Sequence, residues 1–220
     1  MEKSVRGSLK RLQTGYLDSV ILHNPPMEML YKDHPIYNEL RRLKSDKLIK
    51  HFGVSIDTPF ELETVLDNDD VDVIEIMFNV VHQSPKIDFD KIDQKGILLM
   101  IKVTLDSGWL SGKYNGKTVF SGIRSRWTKE VIDTRIKIIG RVKNIVGDDI
   151  VKSSLRFILD FNGVTCVIPG IKNLKQLAEN LEVSDYVLSN EKHMKLESLY
   201  EDINRHLCLG FSGEMKLHIK

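Results

Sequence analysis

Polar residues follow five separate apolar runs of this chain, each at the point where the run ends. They are His23 with Asn24, Ser55 with Asp57, Asn79, Lys102 with Thr104, and Pro169 with Gly170. In parallel α/β folds, chemistry collects at the carboxyl ends of the strands, because the loops that follow the strands meet there. Five such positions in succession predict one site at one rim of a sheet, with His23, Ser55, Asn79 and Gly170 on that rim.

His23 is the side chain of this set best suited to acid–base chemistry. A histidine at the end of a strand can reach a ligand oxygen as a hydrogen-bond donor or as a general acid. The structural alternative is a capping histidine whose hydrogen bonds go to nearby backbone. Ser55 has the same two interpretations, because a serine hydroxyl either binds a ligand or caps a helix or turn. The residues alone leave both alternatives open.

Two glycine-containing segments have a composition typical of anion sites. The segment DSGWLSGKYNG holds Gly108 and Gly112, which permit close approach of the backbone, and Lys113, which can offset phosphate charge. A helix that opens after Gly170 would present free N–H groups and the positive end of its dipole, with Lys172 nearby. Each segment alone is also typical of an ordinary loop or a solvated helix face.

The elements that position these residues alternate between strands and helices. Apolar runs rich in β-branched residues predict strands at 16–23, 49–55, 71–78, 97–105 and 164–170. Segments of helical period predict helices at 4–13, 36–47, 58–67, 88–94, 127–146, 149–161, 173–182 and 189–207. Strands without polar alternation are buried on both faces, as in a parallel sheet. The chain is therefore predicted to form one α/β domain over residues 1–220.

Composition excludes several classes of protein. Lysine and arginine total 32 against 31 for aspartate and glutamate, which gives a net charge of +1 among 220 residues and predicts neither a nucleic-acid nor a membrane partner. No apolar stretch approaches the roughly 20 residues that span a bilayer. Cys166 reads as a core residue and Cys208 as an exposed one near the tail; two thiols make no disulfide framework. We expect a cytoplasmic protein without a metal site.

Several motifs together resemble the aldo-keto reductase family. SLKRLQTGYLDSVILHNP, KHFGVS, VDVIEIMFN, DSGWLSGKY and IPGIKNLKQLAENL follow one another in the family's order, and the resemblance covers about residues 1–207. The family fold is a (β/α)₈ TIM barrel that binds NAD(P) in extended form. The resemblance is to the C-terminal part of the barrel, from its fourth strand onward, so three N-terminal βα units are expected to be missing.

The resemblance implies roles for twelve residues. His23 would be catalytic, by orienting and polarising a substrate carbonyl. The cofactor-binding residues would be Ser55, Glu75, Gly108, Leu110, Gly112, Lys113, Gly170, Lys172, Gln176, Glu179 and Asn180. Ser55 and Glu75 correspond to carboxamide ligands, the 108–113 segment to the pyrophosphate loop, the 170–176 turn to the adenosine 2′-phosphate site, and the last two residues to adenine contacts.

Three positions depart from the family pattern. Ile56 stands where the family usually has asparagine, Glu75 where it has glutamine, and Gln176 near the place of its phosphate-binding arginine. The first two departures weaken the nicotinamide end of the site, so a bound nucleotide is expected to prefer the adenine–phosphate end. The third leaves NADP only slightly favoured over NAD.

Three hypotheses about function remain open. The chain is an NAD(P)H-dependent reductase of a small aldehyde or ketone by lineage, inactive in isolation because the aspartate, tyrosine and lysine of the family's first units are missing. Alternatively, it is a non-catalytic remnant that binds a nucleotide or a partner protein, or a degenerate gene product without stable function. An apolar strand at 16–22 left at an open sheet edge would favour self-association.

Overall fold

A computed structural model describes the backbone of residues 1–215 and the side chains of residues 1–203 except Ile123. The strands are β1 Leu17–His23, β2 Ile49–Ile56, β3 Val73–Met77, β4 Leu98–Lys102 and β5 Val164–Val167. They form one sheet in the order β1-β2-β3-β4-β5, and every neighbouring pair is parallel. The prediction of five parallel strands is confirmed, and their barrel-like curvature, as part of a (β/α)₈ barrel, stays a prediction.

Helices follow or precede each strand of this sheet. The described part of the chain holds α1 Glu2–Leu12, α2 Ile36–Ser45, α3 Pro59–Leu66, α4 Phe89–Gln94, α5 Lys129–Val146, α6 Ile150–Leu159, α7 Leu174–Leu181 and α8 Asn190–Met215. Helix α3, predicted over 58–67, begins at Pro59 with Thr58 as its N-cap. The Thr58 hydroxyl accepts from the Glu61 N–H and the Glu61 carboxylate accepts from the Thr58 N–H, which is a capping box.

Strand β3 ends one residue earlier than its apolar run predicted, and two other strands end three residues earlier. The run 97–105 yields only β4, because Val103 adopts a φ of 55° and turns the chain out of the extended conformation. The run 164–170 yields only Val164–Val167, and Pro169 cannot donate to a strand ladder. The polar residues predicted at these strand ends therefore lie beyond the strands, apart from Lys102, which is the last residue of β4.

The described chain divides into two compact units by its internal contacts. Unit 1 comprises 1–77, 84–102 and 161–167 and carries the whole sheet. Unit 2 comprises 78–83, 103–160 and the chain from Ile168 onward, and it carries α5 to α8. The prediction of a single domain over residues 1–220 stays a prediction.

The core of unit 1 lies on β2, β3 and β4. Val54, Ile74, Ile76 and Leu99 are fully buried, as expected for parallel strands covered on both faces. Gly53 permits the closest approach in the sheet, because a Cβ atom there would lie 1.9 Å from the carbonyl oxygen of Val73. The outer strands β1 and β5 are the edges of the sheet and are only partly buried.

Unit 2 holds buried aromatic residues and a buried ion pair. The ring of Phe78 stacks on that of Phe157 with 6.2 Å between centroids. The Arg135 guanidinium of α5 pairs with the Asp106 carboxylate, and both side chains are almost fully buried. Trp109 and Trp127 each face that guanidinium at 5.9 Å. The segment after β4 is thereby fixed to α5.

Candidate functional site

Polar side chains meet at the carboxyl end of the sheet in unit 1. His23 is the register partner of Ser55 across β1 and β2, and Ser55 is the register partner of Glu75 across β2 and β3. Asn24 and Asp57 directly follow β1 and β2. Register alone therefore brings His23 and Ser55 to one rim, as their positions after apolar runs indicated, together with Glu75, which the resemblance had assigned to the carboxamide.

A lysine occupies the centre of this rim. The Lys102 ammonium nitrogen lies 2.7 Å from the Ser55 hydroxyl oxygen, 2.8 Å from Asn24 Oδ1 and 2.9 Å from Asp57 Oδ1. Ser55 Oγ lies 3.0 Å from Glu75 Oε1, and Asn24 Nδ2 donates to Asp57 Oδ2 at 2.7 Å. We call these five side chains the Lys102 network; it ties the ends of β1 to β4 together.

The Lys102 network satisfies its own hydrogen-bonding groups. An ammonium has three hydrogens, and Lys102 has one acceptor for each. The Ser55 hydroxyl has one hydrogen, and the nearer of its two acceptors is Glu75. Because Ser55 is fully buried, a ligand could reach its hydroxyl only by displacing a partner. Charge-assisted hydrogen bonds of this kind are worth about 1.5–3 kcal/mol each.

Two further residues of unit 1 bear on this rim. His23 is exposed at the end of β1 and remains accessible to a ligand. The thiol of Cys166, on β5, has its pKa raised above the ordinary value by burial and then by the negative charge of Glu75. Cys166 is only partly buried, so the prediction of a core residue is wrong in degree; Cys208 lies outside the described side chains.

The other two residues predicted on the rim belong to unit 2. Asn79 is buried, and its side chain is hydrogen-bonded to backbone groups. Its Nδ2 donates to the Val103 carbonyl at 3.0 Å, and its Oδ1 accepts from the Val81 N–H at 2.9 Å. Gly170 has no heavy atom within 4 Å of the position that a Cβ would occupy. Asn79 is thus explained by turn formation, whereas the turn at Gly170 leaves open space.

The glycine-containing loop of unit 2 is shaped by left-handed backbone. Gly108 and Gly112 have φ values of 99° and 70°, which favour glycine whatever the surroundings. A Cβ at Gly108 would lie 3.1 Å from the Tyr114 hydroxyl. Leu110 is fully buried, so only its backbone can serve the predicted cofactor role. Lys113 lies over the Tyr114 ring at 5.0 Å, on an exposed part of the loop.

The start of α7 is partly satisfied by its own side chains. Asn173 is the N-cap and its Oδ1 accepts from the Gln176 N–H at 2.9 Å. Gln176 Oε1 accepts from the Lys172 N–H at 2.7 Å. The N–H groups of Gln176 and Lys172, which were predicted to bind a phosphate, are therefore already hydrogen-bonded within the chain. The Gln176 side chain, near the place of the family's arginine, accepts a hydrogen bond from the backbone.

Asn180 is the residue of α7 with an unused polar group. Its Nδ2 is buried and has no hydrogen-bond partner among the described residues. Buried polar atoms are rarely left unpaired, and because this atom has almost no exposed surface, a ligand acceptor could reach it only after a local movement of its neighbours. Glu179 stands beside it; its carboxylate forms a long 3.8 Å pair with Lys175, and its charge contributes, after the hydrogen bond to Glu182, to the raised pKa of Lys152. Asn180 and Glu179 are positions that the resemblance assigned to adenine.

The described residues contain no group of three or more metal-ligating side chains suited to holding an ion. Among the same residues, no helix combines the length and apolar character needed to cross a membrane. The predicted cytoplasmic location stays a prediction.

Comparison with known proteins identifies the family. The model of the aldo/keto reductase family matches residues 1–201. The chain is 24% identical over 211 residues to the uncharacterized oxidoreductase C215.11c of Schizosaccharomyces pombe, covering 93% of this chain and 60% of that protein. It is 20% identical to the uncharacterized oxidoreductase YqkF of Bacillus subtilis, covering 89% of this chain and 63% of that protein.

Solved structures agree on the fold. Aldo-keto reductase AKR11C1 from Bacillus halodurans superposes with a TM-score of 0.70 at 20% identity, over 90% of this chain and 67% of that one. Glycerol dehydrogenase AKR11B4 from Gluconobacter oxydans gives 0.75 at 20% identity, over 94% of this chain and 64% of that one.

With its parallel sheet and its family match, the chain belongs to the aldo/keto reductase family. The chain spans about three fifths of the length of the curated relatives it matches. The expectation that the likeness is only to a C-terminal part is not supported, because the family model covers residues 1–201.

Proposed function

We propose that this chain is an oxidoreductase of the aldo/keto reductase type by lineage. It binds NADP or NAD mainly through the adenosine–phosphate end of the cofactor. The 220-residue chain alone does not reduce carbonyl compounds. The lineage reaction is the NAD(P)H-dependent reduction of a small aldehyde or ketone. One observation carries the proposal: the nicotinamide-end residues Ser55 and Glu75 are bonded within the Lys102 network.

The adenosine–phosphate end is supported by residues of unit 2. Asn180 offers a buried, unpartnered amide, and the turn at Gly170 is open. Lys172 is exposed at the start of α7 and can offset phosphate charge. Gln176 in place of an arginine removes a bidentate phosphate ligand, so the preference for NADP over NAD is small.

The nicotinamide end is not supported in the same way. A carboxamide needs a donor for its oxygen and an acceptor for its nitrogen. Ser55 donates to Glu75 and accepts from Lys102, and Ile56 has no polar side chain to replace it. When bound, a reduced cofactor supplies hydride, and this chain's residues at the rim are not arranged to orient it.

Carbonyl reduction also needs a proton for the developing alkoxide, and general acid catalysis contributes about 10²–10⁴-fold. His23 is an exposed candidate acid of unit 1. Tyr16 precedes β1 and so lies at the other end of that strand. Tyr37 is fully buried on α2, where burial raises the pKa of its phenol. Tyr31 is exposed after the 3-10 turn that follows β1 and is a second candidate acid.

Calorimetric titration with adenosine 2′,5′-bisphosphate and, separately, with nicotinamide mononucleotide tests the proposal. The bisphosphate is expected to bind at least about tenfold more tightly, a difference of about 1.4 kcal/mol. Equal affinity, or tighter binding of the mononucleotide, would contradict it.

A partner-binding role is the second candidate. The sheet edges β1 and β5 have no further strand partner among the described residues, and open edges favour pairing with another chain. Sedimentation velocity at rising protein concentration tests this role. A larger sedimenting species supports it, and a constant monomer at all concentrations argues against it.

A further inference from the structure

The Lys102 network joins residues from four neighbouring strands or the turns after them. Lys102 ends β4, Glu75 lies on β3, Ser55 on β2 with Asp57 just after it, and Asn24 follows β1. The Lys102 side chain is 12% exposed, so water competes little for its ammonium. Residues that merely share a surface would not place three acceptors within 2.9 Å of one nitrogen.

The charges of the network are also matched locally. The Lys102 cation is bonded directly to the Asp57 anion, and through Ser55 it is linked to the Glu75 anion. A neutral ligand group that displaced Lys102 would leave two carboxylates close together without their cation, which is unfavourable in a partly buried site.

We propose that Lys102 is a specificity-determining residue that excludes a nicotinamide carboxamide from this rim. This inference rests on the proposed function and narrows its ligand class to adenosine phosphates. The affinity for such a ligand should not depend on whether the nicotinamide ring is present. 2′-Phospho-ADP-ribose, which lacks the ring, would bind as tightly as NADP.

Lys102, and not Glu75 alone, excludes the nicotinamide carboxamide from the rim. Changing Glu75 to glutamine would restore an amide at that position, but Lys102 would still donate to Ser55, Asn24 and Asp57. Changing Lys102 to methionine removes the ammonium while keeping an unbranched stem of similar length. Both changes together free the Ser55 hydroxyl. They leave only the Asp57 carboxylate without its cation, whereas Lys102→Met alone would leave both Asp57 and Glu75.

The test measures nicotinamide mononucleotide binding by calorimetry for the full chain and for Lys102→Met/Glu75→Gln, Glu75→Gln and Lys50→Met. Lys50 is the matched control, because it pairs with Asp18 at 2.9 Å near the start of β2, in the same unit. We expect the double variant to gain at least about tenfold in affinity, and both other variants to match the unsubstituted chain. Circular dichroism checks that each variant is folded.

A folded double variant without this gain would overturn the inference. The inference would also fail if the unsubstituted chain bound the mononucleotide as tightly as the double variant does. Where the double variant does not fold, the unsubstituted chain decides: equal affinities for NADP and 2′-phospho-ADP-ribose support the inference, and tenfold tighter NADP overturns it. Adenosine 2′,5′-bisphosphate separates the two proposals. If it fails to bind, the proposed function fails, while the mononucleotide titrations still test Lys102.

Discussion

Asn180 differs from the other polar residues of α7 because its Nδ2 is buried and unpartnered among the described residues. An unsatisfied buried polar atom lowers the free energy of unfolding by about 1–3 kcal/mol. The amide of Asn180 therefore destabilises the folded chain unless a ligand accepts a hydrogen bond from it. The resemblance that assigned Asn180 to adenine and the structure that leaves its amide unused point to the same role.

Asn180→Ala is therefore expected to weaken binding of adenosine 2′,5′-bisphosphate about tenfold without lowering stability. Calorimetry gives the affinity and urea unfolding gives the free energy of unfolding. Asn144→Ala is the matched control, since Asn144 is an exposed asparagine of α5. An Asn180 variant that binds normally but unfolds more easily would show that the residue is structural.

Arg135 and Arg141 lie on the same helix but differ in burial. Arg135 is 6% exposed and pairs with Asp106, whereas Arg141 pairs with Asp202 at 2.8 Å in the open, with both side chains nearly half exposed. Removing one partner of a buried pair leaves an uncompensated charge and costs about 3–5 kcal/mol. An exposed pair is worth about 0–1 kcal/mol.

Arg135→Met should thus lower the free energy of unfolding by about 3 kcal/mol or more, and Arg141→Met by less than about 1 kcal/mol. Urea unfolding followed by tryptophan fluorescence measures both, because Trp109 and Trp127 face Arg135. Similar losses for the two variants would contradict the role given to the buried pair.

At the scale of elements, the pairing of β2 with β3 depends on one glycine. Gly53↔Val73 is the first register pair, and a Cβ at Gly53 would meet the backbone of Val73, which cannot rotate away. Gly140, in the middle of α5, has no atom within 4 Å of its Cβ position. The same substitution is therefore expected to have opposite effects at the two positions.

Gly53→Ala should destabilise the chain by about 3 kcal/mol or more, since overpacking against backbone cannot relax through side-chain motion. Gly140→Ala should be neutral or stabilising by up to about 1 kcal/mol, because alanine is the better helix former. Thermal and urea unfolding of both variants measure this contrast. A tolerated Gly53 variant would mean that β2 and β3 can move apart.

Elements were predictable from the sequence where one local signal decides them. The apolar runs gave five strands, and Thr58-Pro59 gave the start of α3. The early end of β4 was not predictable, because the left-handed turn at Val103 interrupts a continuous apolar run. The common rim of Asn24, Ser55, Asp57 and Lys102 was predictable, because each follows an apolar run. Their hydrogen bonds to one another and to Glu75 were not predictable, because they depend on the register between four strands, which no local pattern encodes.

At the scale of the whole molecule, the family and the parallel sheet were predictable, because motifs in a fixed order carry both. The two compact units were not, since they are assembled from segments that alternate along the chain. The predicted nicotinamide-end residues lie in one unit and those for the adenine–phosphate end in the other.

We propose that the 220-residue chain alone does not reduce carbonyl compounds. Even about 1 Å of misplacement of reacting groups can cost 10²-fold in rate, and the Lys102 network occupies the groups that would orient the nicotinamide. The direct measurement is NADPH oxidation with 4-nitrobenzaldehyde, followed by the loss of NADPH absorbance, using the pure chain and a His23→Ala control. We predict no turnover above the protein-free rate; robust turnover that disappears in His23→Ala would show that the histidine suffices and would contradict the account.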